Sequence, residues 1–424
     1  MARAWVEDRW HDRKKARTSR YGVGARWRVR WFDDSDPDKA RQERTRMFSK
    51  RADADEFAAK LDNDIRASVY RDPALGKATF AEVAEEWLAG HLRIRESTYV
   101  RYERELRMYM VPKFGPKPVN SISRADLAAW VADLTRGKAP ARYKVRGSNP
   151  PRDHPARTMR APLAPASIEH MVTILGAIFK WAMANDRIAK NPATGLSIPR
   201  PVPEDHVYLT HNQVRDLAAA AQNATGDRQD AALVYTLAYT GLRINEALAA
   251  KTGALDTAAR TLRVAQTWTQ GRDGGRKLGP PKSWERRTVP LPGFLADQLA
   301  ELVQGRGPGE FVFTARRGGP VFDHNWRRRV WDKAVAAAEL DGLGLTPHKL
   351  RHTAASAAIA AGADVKVVQQ MLGHASAAMT LDVYGHLWPS RLGEVAAAME
   401  AARQAEYQTP NPAPKPARPT GPEL

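Results

Sequence analysis

The feature that most constrains this chain is a change of hydrophobic period along its length. Near the start, Arg26–Phe32 (RWRVRWF) alternates aromatic or aliphatic residues with arginine, the pattern of a strand with one apolar and one basic face. DDSDPD follows as a turn, Thr45–Phe48 reads as a second strand, and Ser49 opens a helix with apolar residues at helical spacing. From Thr79 onward the helical period dominates. TFAEVAEEWLAGHL starts with a Thr cap and has Glu82 three residues on. STYVRYERELRMYMVPKF is predicted as a helix capped by Ser97 and ended by Pro112. Ser123 caps a third helix, and Pro165–Asn185 forms a fourth.

These shifts divide the chain. Residues 1–70 are a small sheet on one helix, and 77–197 a helical domain. A basic insertion at 137–162 interrupts it, with seven Lys+Arg, one Asp and no periodicity. That insertion reads either as a solvated loop or as an arm lying along phosphates. Prolines stiffen a linker at 198–206. The largest domain, 207–408, is mixed and mainly α. Its strands are predicted at Thr261–Ala265, Thr288–Leu291 and Glu310–Phe313. Its helices are predicted after the Thr210 cap and over Asp227–Tyr239, Asn325–Glu339, Arg351–Ala361, Val365–Leu372 and Ser390–Tyr407. The tail, 409–424, holds six prolines and reads as disordered or extended.

Composition narrows the partner. Against 47 Asp+Glu stand 66 Lys+Arg, giving a formal net charge of +19, so a polyanion is expected and nucleic acid leads. No apolar run approaches a spanning helix, and the first residues have no signal-peptide core, so no membrane role is expected and the cytoplasm is the expected compartment. With no Cys, disulfides and thiolate metal sites are excluded.

Five polar residues are spread through the second half: Arg243 in TGLRINEAL, His348 and Arg351 in TPHKLRHT, His374 in LGH, and Tyr384 in MTLDVYGHL. Two arginines can grip the non-bridging oxygens of a phosphate, histidines can move protons, and tyrosine can be a nucleophile. This set asks for no metal and no cofactor. Singly each residue has a plainer reading. Arg243 could pair with Glu246 on one helical face, His348 and Arg351 could be a surface polar pair, His374 could cap a helix, and Tyr384 could be a half-buried core residue.

Together, TGLR, HKLRH, LGH and DVYGH resemble the tyrosine recombinases, the integrase family of site-specific DNA recombinases. The resemblance implies a fold that is mainly α with small β-sheets. It comprises a three-stranded arm-binding domain, a helical SAM-like core-binding domain and a mixed α/β catalytic domain. It implies that Tyr384 attacks the scissile phosphate to give a 3′-phosphotyrosine, that Arg243 and Arg351 neutralise the phosphate, and that His348 assists removal of the tyrosine proton. His374 would hold a phosphate oxygen. A hairpin lysine, Lys282 with Lys277 as fallback, would protonate the leaving 5′-oxygen. Arg26, Arg28 and Arg30 are candidate contacts to arm-type DNA sites.

The partners implied are double-stranded DNA at core and arm attachment sites, a homotetramer on that DNA, and an accessory host factor or excisionase. The C-terminal segment SRLGEVAAAMEAARQAEY reads as an amphipathic helix that docks either on a neighbouring subunit or on its own domain. The expected activity is integration and excision of a mobile element or prophage. A Xer-like resolvase, a type IB topoisomerase and a recombinase-derived DNA-binding regulator are the alternatives.

Overall fold

The computed structural model describes residues 4–33, 42–66, 75–91, 93–142, 157–158, 161–200, 206–281, 286–388 and 392–408. The chain is mainly helical with small antiparallel sheets, as the resemblance implies. It separates into two units, one through Pro203 and one from Glu204 onward, apart from Gly271–Asp273, which cluster with the first.

In the first unit, β1 (Ala4–Asp8), β2 (Trp27–Asp33) and β3 (Gln42–Phe48) form an antiparallel sheet in chain order, followed by α1 (Arg51–Arg66). Alternation decides the faces. Val29 and Trp31 turn inward with Ala4 onto Ala54, Ala58 and Leu61, which recur at helical spacing along α1. The opposite parity carries the arginines.

A second core belongs to α2 (Phe80–Ala89), α3 (Glu96–Glu105), α4 (Val111–Phe114), α5 (Arg124–Arg136) and α6 (Pro165–Ala184). Thr79 and Ser123 both make capping boxes, with Glu82 and Asp126. The predicted start and stop of the second helix need correction. Ser97 lies inside the first turn, and Arg95 takes the cap position without a side-chain bond. Pro112 does not end the helix, which runs on to Phe114. A π-turn over Leu106–Met110 absorbs the proline, and the Met108 carbonyl, which Pro112 cannot bond, accepts the Arg142 N–H at 2.8 Å. Arg142 follows β4 (Pro140–Ala141), which pairs with β5 (Arg157–Thr158) at the base of the basic insertion. The middle of that insertion lies outside the described residues, as do most of the linker prolines and the whole tail.

The second unit opens with α7 (His211–Thr225), capped by Thr210 and Gln213, and α8 (Arg228–Thr240), capped by Asp227. The short α9 (Ile244–Ala247) leads into β6 (Leu255–Asp256), β7 (Thr261–Val264), β8 (Thr267–Gln270), β9 (Arg276–Gly279) and β10 (Arg287–Pro290). Sheet order is β10-β7-β6, with Leu262, Val264 and Val289 buried, and β8 pairs β9 as a separate hairpin. Glu310–Phe313 is not the predicted strand. It runs as a loop joined to the rest by a β-bridge between Phe311 and Lys251, so its apolar residues mark burial rather than a ladder.

After α10 (Gly293–Val303), the helix predicted at 325–339 is built from α11 (Asp323–Trp326), a π-turn (Arg327–Trp331) and α12 (Asp332–Ala337). Five residues apart, Trp326 and Trp331 would face different sides of an α-helix. The wider turn brings both indoles into the core, their rings 5.7 Å apart. The remaining helices are α13 (Leu350–Ala360), α14 (Val365–Leu372), α15 (Ala377–Tyr384) and α16 (Leu392–Gln408). Ala355, Ile359, Val368, Leu372 and Tyr384 form a core of their own within this last group. No helix among the described residues is long and apolar enough to cross a membrane.

Candidate active site

The site begins where α8 stops. Gly241 takes φ +66, and a Cβ there would lie 2.6 Å from Leu372 Cδ2, so the reversal needs glycine on both counts. Arg243 follows at the head of α9. Its backbone N–H donates to Glu246 Oε2 and its Nη1 to Oε1, each at 3.0 Å. Arg287, from β10, donates Nη2 to Oε2 at 2.7 Å and Nη1 to Oε1 at 3.2 Å. Burial alone would raise the pKa of the Glu246 carboxyl. The hydrogen bond and charge of Arg287 outweigh it, and the pKa lies below the ordinary value.

Arg351 stands in the first turn of α13 and is buried. Its Nη1 donates to Gly241 O and its Nη2 to Leu372 O, both at 2.6 Å. Those two carbonyls orient the guanidinium without cancelling its charge. Burial, and then the neighbouring charge of Arg243, pull its pKa down to about 9, which leaves it cationic at neutral pH. Two guanidiniums, those of Arg243 and Arg287, therefore share one carboxylate, and a third, that of Arg351, is held nearby on backbone carbonyls. The surplus positive charge, held in place beforehand, suits the anionic oxygens of a phosphate.

The LGH turn completes a Schellman motif. Gly373 takes φ +66, its N–H donates to Gln370 O at 3.1 Å, and the His374 N–H donates to Gln369 O at 3.1 Å. The backbone of His374 thus does close α14, while its side chain turns to the site. His374 Nδ1 lies 2.9 Å from Thr380 Oγ1, and its ring is nearly parallel to that of Tyr384, at 6.5 Å. Burial, followed by the charge of Arg351, lowers its pKa to about 4, so the ring is neutral at pH 7.

Ser376 caps α15 by accepting the Met379 N–H, and Tyr384 is the last residue of that helix. Tyr384 is 1% exposed. Burial pushes its pKa up to about 12, against the opposing charge of Arg351. The hydroxyl lies 2.9 Å from Nδ1 of His352.

Arg243, Arg351, His374 and Tyr384 thus come together from four separate stretches of sequence. His348 precedes α13 in an exposed turn, so the helical spacing expected of it and Arg351 survives only as the Arg351 N–H to His348 O bond, at 3.1 Å. Its ring centroid is 6.1 Å from that of His352. Lys282 lies outside the described residues, and Lys277 is exposed on β9, opposite Thr269. Arg26, Arg28 and Arg30 are in or beside β2, each with a carboxylate partner: Asp8, Glu7 and Glu43 respectively. Two neighbours of the site had no role in the sequence reading. Arg287 was visible only as one of two arginines before a strand, and His352 only as the residue after Arg351.

Residues 207–391 match the model of the phage integrase family, and residues 79–135 match its N-terminal SAM-like domain. Tyrosine recombinase XerC of Mycobacterium bovis is 32% identical over 255 residues, which is 57% of this chain and 78% of that one. XerC of Corynebacterium efficiens is 29% identical over 66% of this chain and 83% of its own length. Among solved structures, the Tn1549 transposon integrase in complex with circular intermediate DNA aligns with a TM-score of 0.59 at 20% identity, covering 76% of this chain and 99% of that one. A lambda integrase dimer bound to a COC′ core site aligns at 0.51 and 15% identity, covering 86% and 94%. At such identities the structures speak for the fold alone. The XerC relatives carry the likeness further, over most of their own length. The chain belongs with them to the phage integrase family: it is a tyrosine recombinase.

Proposed function

We propose that this recombinase is an integrase, cutting and rejoining DNA through a 3′-phosphotyrosine to integrate and excise a mobile element. The observation that carries the chemistry is the surplus of fixed positive charge around Glu246, with Tyr384 packed beside it. A scissile phosphate set between Arg243 and Arg351 meets charge where charge develops in the transition state. Tyr384 attacks phosphorus, His374 holds a non-bridging oxygen, and Lys282 protonates the departing 5′-oxygen. A histidine of the segment 348–352 takes the tyrosine proton. The phosphotyrosine conserves the energy of the phosphodiester, so rejoining needs no ATP. Each site cuts one strand, and an exchange between two duplexes cuts four, so the working unit is a homotetramer on DNA. An accessory host factor or excisionase would set direction.

The N-terminal sheet favours the mobile-element reading. A basic three-stranded domain ahead of the SAM-like match supplies a second DNA-binding surface for arm sites, with Arg26, Arg28 and Arg30 as contacts. The second reading, a Xer-like resolvase, is favoured by the names of the curated relatives.

A suicide assay tests the chemistry. The core site is first selected from a randomised pool by binding to the Tyr384→Phe protein, then offered as a nicked duplex. A covalent adduct at Tyr384, absent in Tyr384→Phe, is expected. Tight binding without an adduct would favour a regulator. Joining of two marked duplexes that depends on residues 1–70 would support the integrase, and joining indifferent to them the resolvase.

A further inference from the structure

We propose that His352 is the catalytic residue that takes the proton from Tyr384 during cleavage and returns it during rejoining. The assignment rests on Tyr384 being the nucleophile.

The geometry singles out this ring. Its Nδ1 is 2.9 Å from the Tyr384 oxygen, within the range a proton acceptor needs. His348 stands in the exposed turn before α13, and its ring is edge-on to that of His352, 6.1 Å away between centroids. His374 is also close, but its Nδ1 is engaged by Thr380, and its ring lies parallel to the phenol rather than pointing at the hydroxyl. On its other side His352 stacks on His206, centroids 4.5 Å apart, which fixes the plane of the imidazole. The position one residue after Arg351 matters as well. On α13 the phosphate-binding guanidinium and the proton acceptor are carried by adjacent residues, so substrate and nucleophile are placed by one rigid element.

The surroundings set the protonation state. Burial comes first, then the charges of His206, His348, Arg351 and Lys349, and together they lower the His352 pKa to about 4. The free enzyme therefore holds a neutral imidazole facing a protonated phenol, whose own pKa burial has raised to about 12. That pair exchanges no proton at rest, which keeps the nucleophile unreactive without DNA. An anionic phosphate between Arg243 and Arg351 changes both sides. It offsets the cationic charge that adds to burial in keeping the imidazole neutral, and bond formation to phosphorus makes the phenolic proton acidic.

The step balances. The Oη–H bond of Tyr384 breaks as its proton passes to Nδ1 of His352. The Oη–P bond forms, the P–O5′ bond breaks, and the 5′-oxygen leaves with a proton from a cationic donor. In rejoining, a 5′-hydroxyl passes its proton back to that now deprotonated donor and attacks phosphorus, the P–O5′ bond forms as the Oη–P bond breaks, and the imidazolium returns its proton to Oη.

The test pairs two substitutions with two phenols. Full-length protein carrying Tyr384, or 3,5-difluorotyrosine at 384, is compared in adduct formation on the nicked duplex. His352→Asn keeps a polar atom where Nδ1 stands but cannot take a proton. With tyrosine, it is expected to slow cleavage by about 10²–10⁴-fold. With the more acidic difluorotyrosine, that deficit should shrink at least tenfold (roughly, since general-base dependence follows the acidity of the nucleophile). His348→Asn should show the same deficit with either phenol. An equal His352→Asn deficit for both phenols would reduce His352 to a packing role. A rate at or above the parent's would make the contact a restraint. A phenol-dependent deficit in His348→Asn alone would move the proton to His348. Each of these overturns the assignment. Failure of the parent protein to form any adduct sinks the phosphotyrosine reading itself, and Tyr384→Phe is the control for that.

Discussion

Arg287 and Glu246 form a buried two-point ion pair, and the same guanidinium donates through Nε to the Met371 carbonyl at 3.1 Å. The side chains are 8% and 1% exposed. Through this pair the turn that carries Arg243 is fastened to the turn that carries His374.

Removing one partner strands the other. Glu246→Ala should cost about 3–5 kcal/mol, because two guanidiniums lose their shared carboxylate in a site with little water. Urea unfolding measures it. The double variant Glu246→Ala, Arg287→Met should recover part of the loss. A single variant as stable as the parent would mean the pair is compensated elsewhere.

Gly373 meets the same guanidinium. An added Cβ would stand 3.0 Å from Arg287 Cδ, at φ +66. Gly373→Ala should destabilise by about 1–2 kcal/mol from the backbone alone. It should also lower the cleavage rate more than DNA affinity, because the displaced residue is His374. Equal losses in both would point to a general unfolding of α14.

Stability should fall with acid. His352 and His374 are each depressed to about 4 in the folded chain, from an ordinary 6.5. Between those values the unfolded chain binds protons that the native site refuses, so stability is full above about pH 6.5 and declines as pH drops toward 4. Each histidine should contribute about 1–3 kcal/mol to that decline. Unfolding free energies across this window check it. His352→Asn should flatten the slope.

The N-terminal sheet makes a prediction of opposite signs. Glu7 lies within ion-pair distance of both Arg28, at 2.5 Å, and Arg30, at 3.6 Å. If these arginines contact phosphates, Arg28→Ala and Arg30→Ala should each reduce the slope of log affinity against log salt by about 1. Glu7→Gln, which releases Arg28 and leaves Arg30 paired with Glu43, should steepen it. Arm-site binding titrated at several salt concentrations reads all three. A slope unchanged in all of them would take this face out of the DNA interface.

Much of this was legible from residue order, and what was missed has a common cause. Helix starts at Thr79, Ser123 and Thr210 could be read because capping is local chemistry between residues three apart. Arg243, Arg351, His374 and Tyr384 could be read because each sits in a short distinctive motif. Pro112 misled because its remedy lies thirty residues away, at the Arg142 N–H. Glu310–Phe313 misled because buried apolar residues look alike in a strand and in a packed loop. Glu246 was legible as a partner for Arg243 but not as a shared one, since its second arginine arrives from β10. His352 gave no signal of its own. Its partner is thirty-two residues on, and only the packing of α13 and α15 on α14 brings the two together.

The carbonyl that Pro112 releases has an architectural consequence. Because Met108 is taken up by Arg142, the basic insertion is rooted in the α3–α4 segment by a bond that no ordinary helix would have to spare, and the β4–β5 pairing draws its two ends together above that root. The host helices hold their core through Leu134, Leu163 and Ile168 on either side of it. What lies between the roots is therefore a replaceable cassette. A change in its length or charge should leave the scaffold beneath in place.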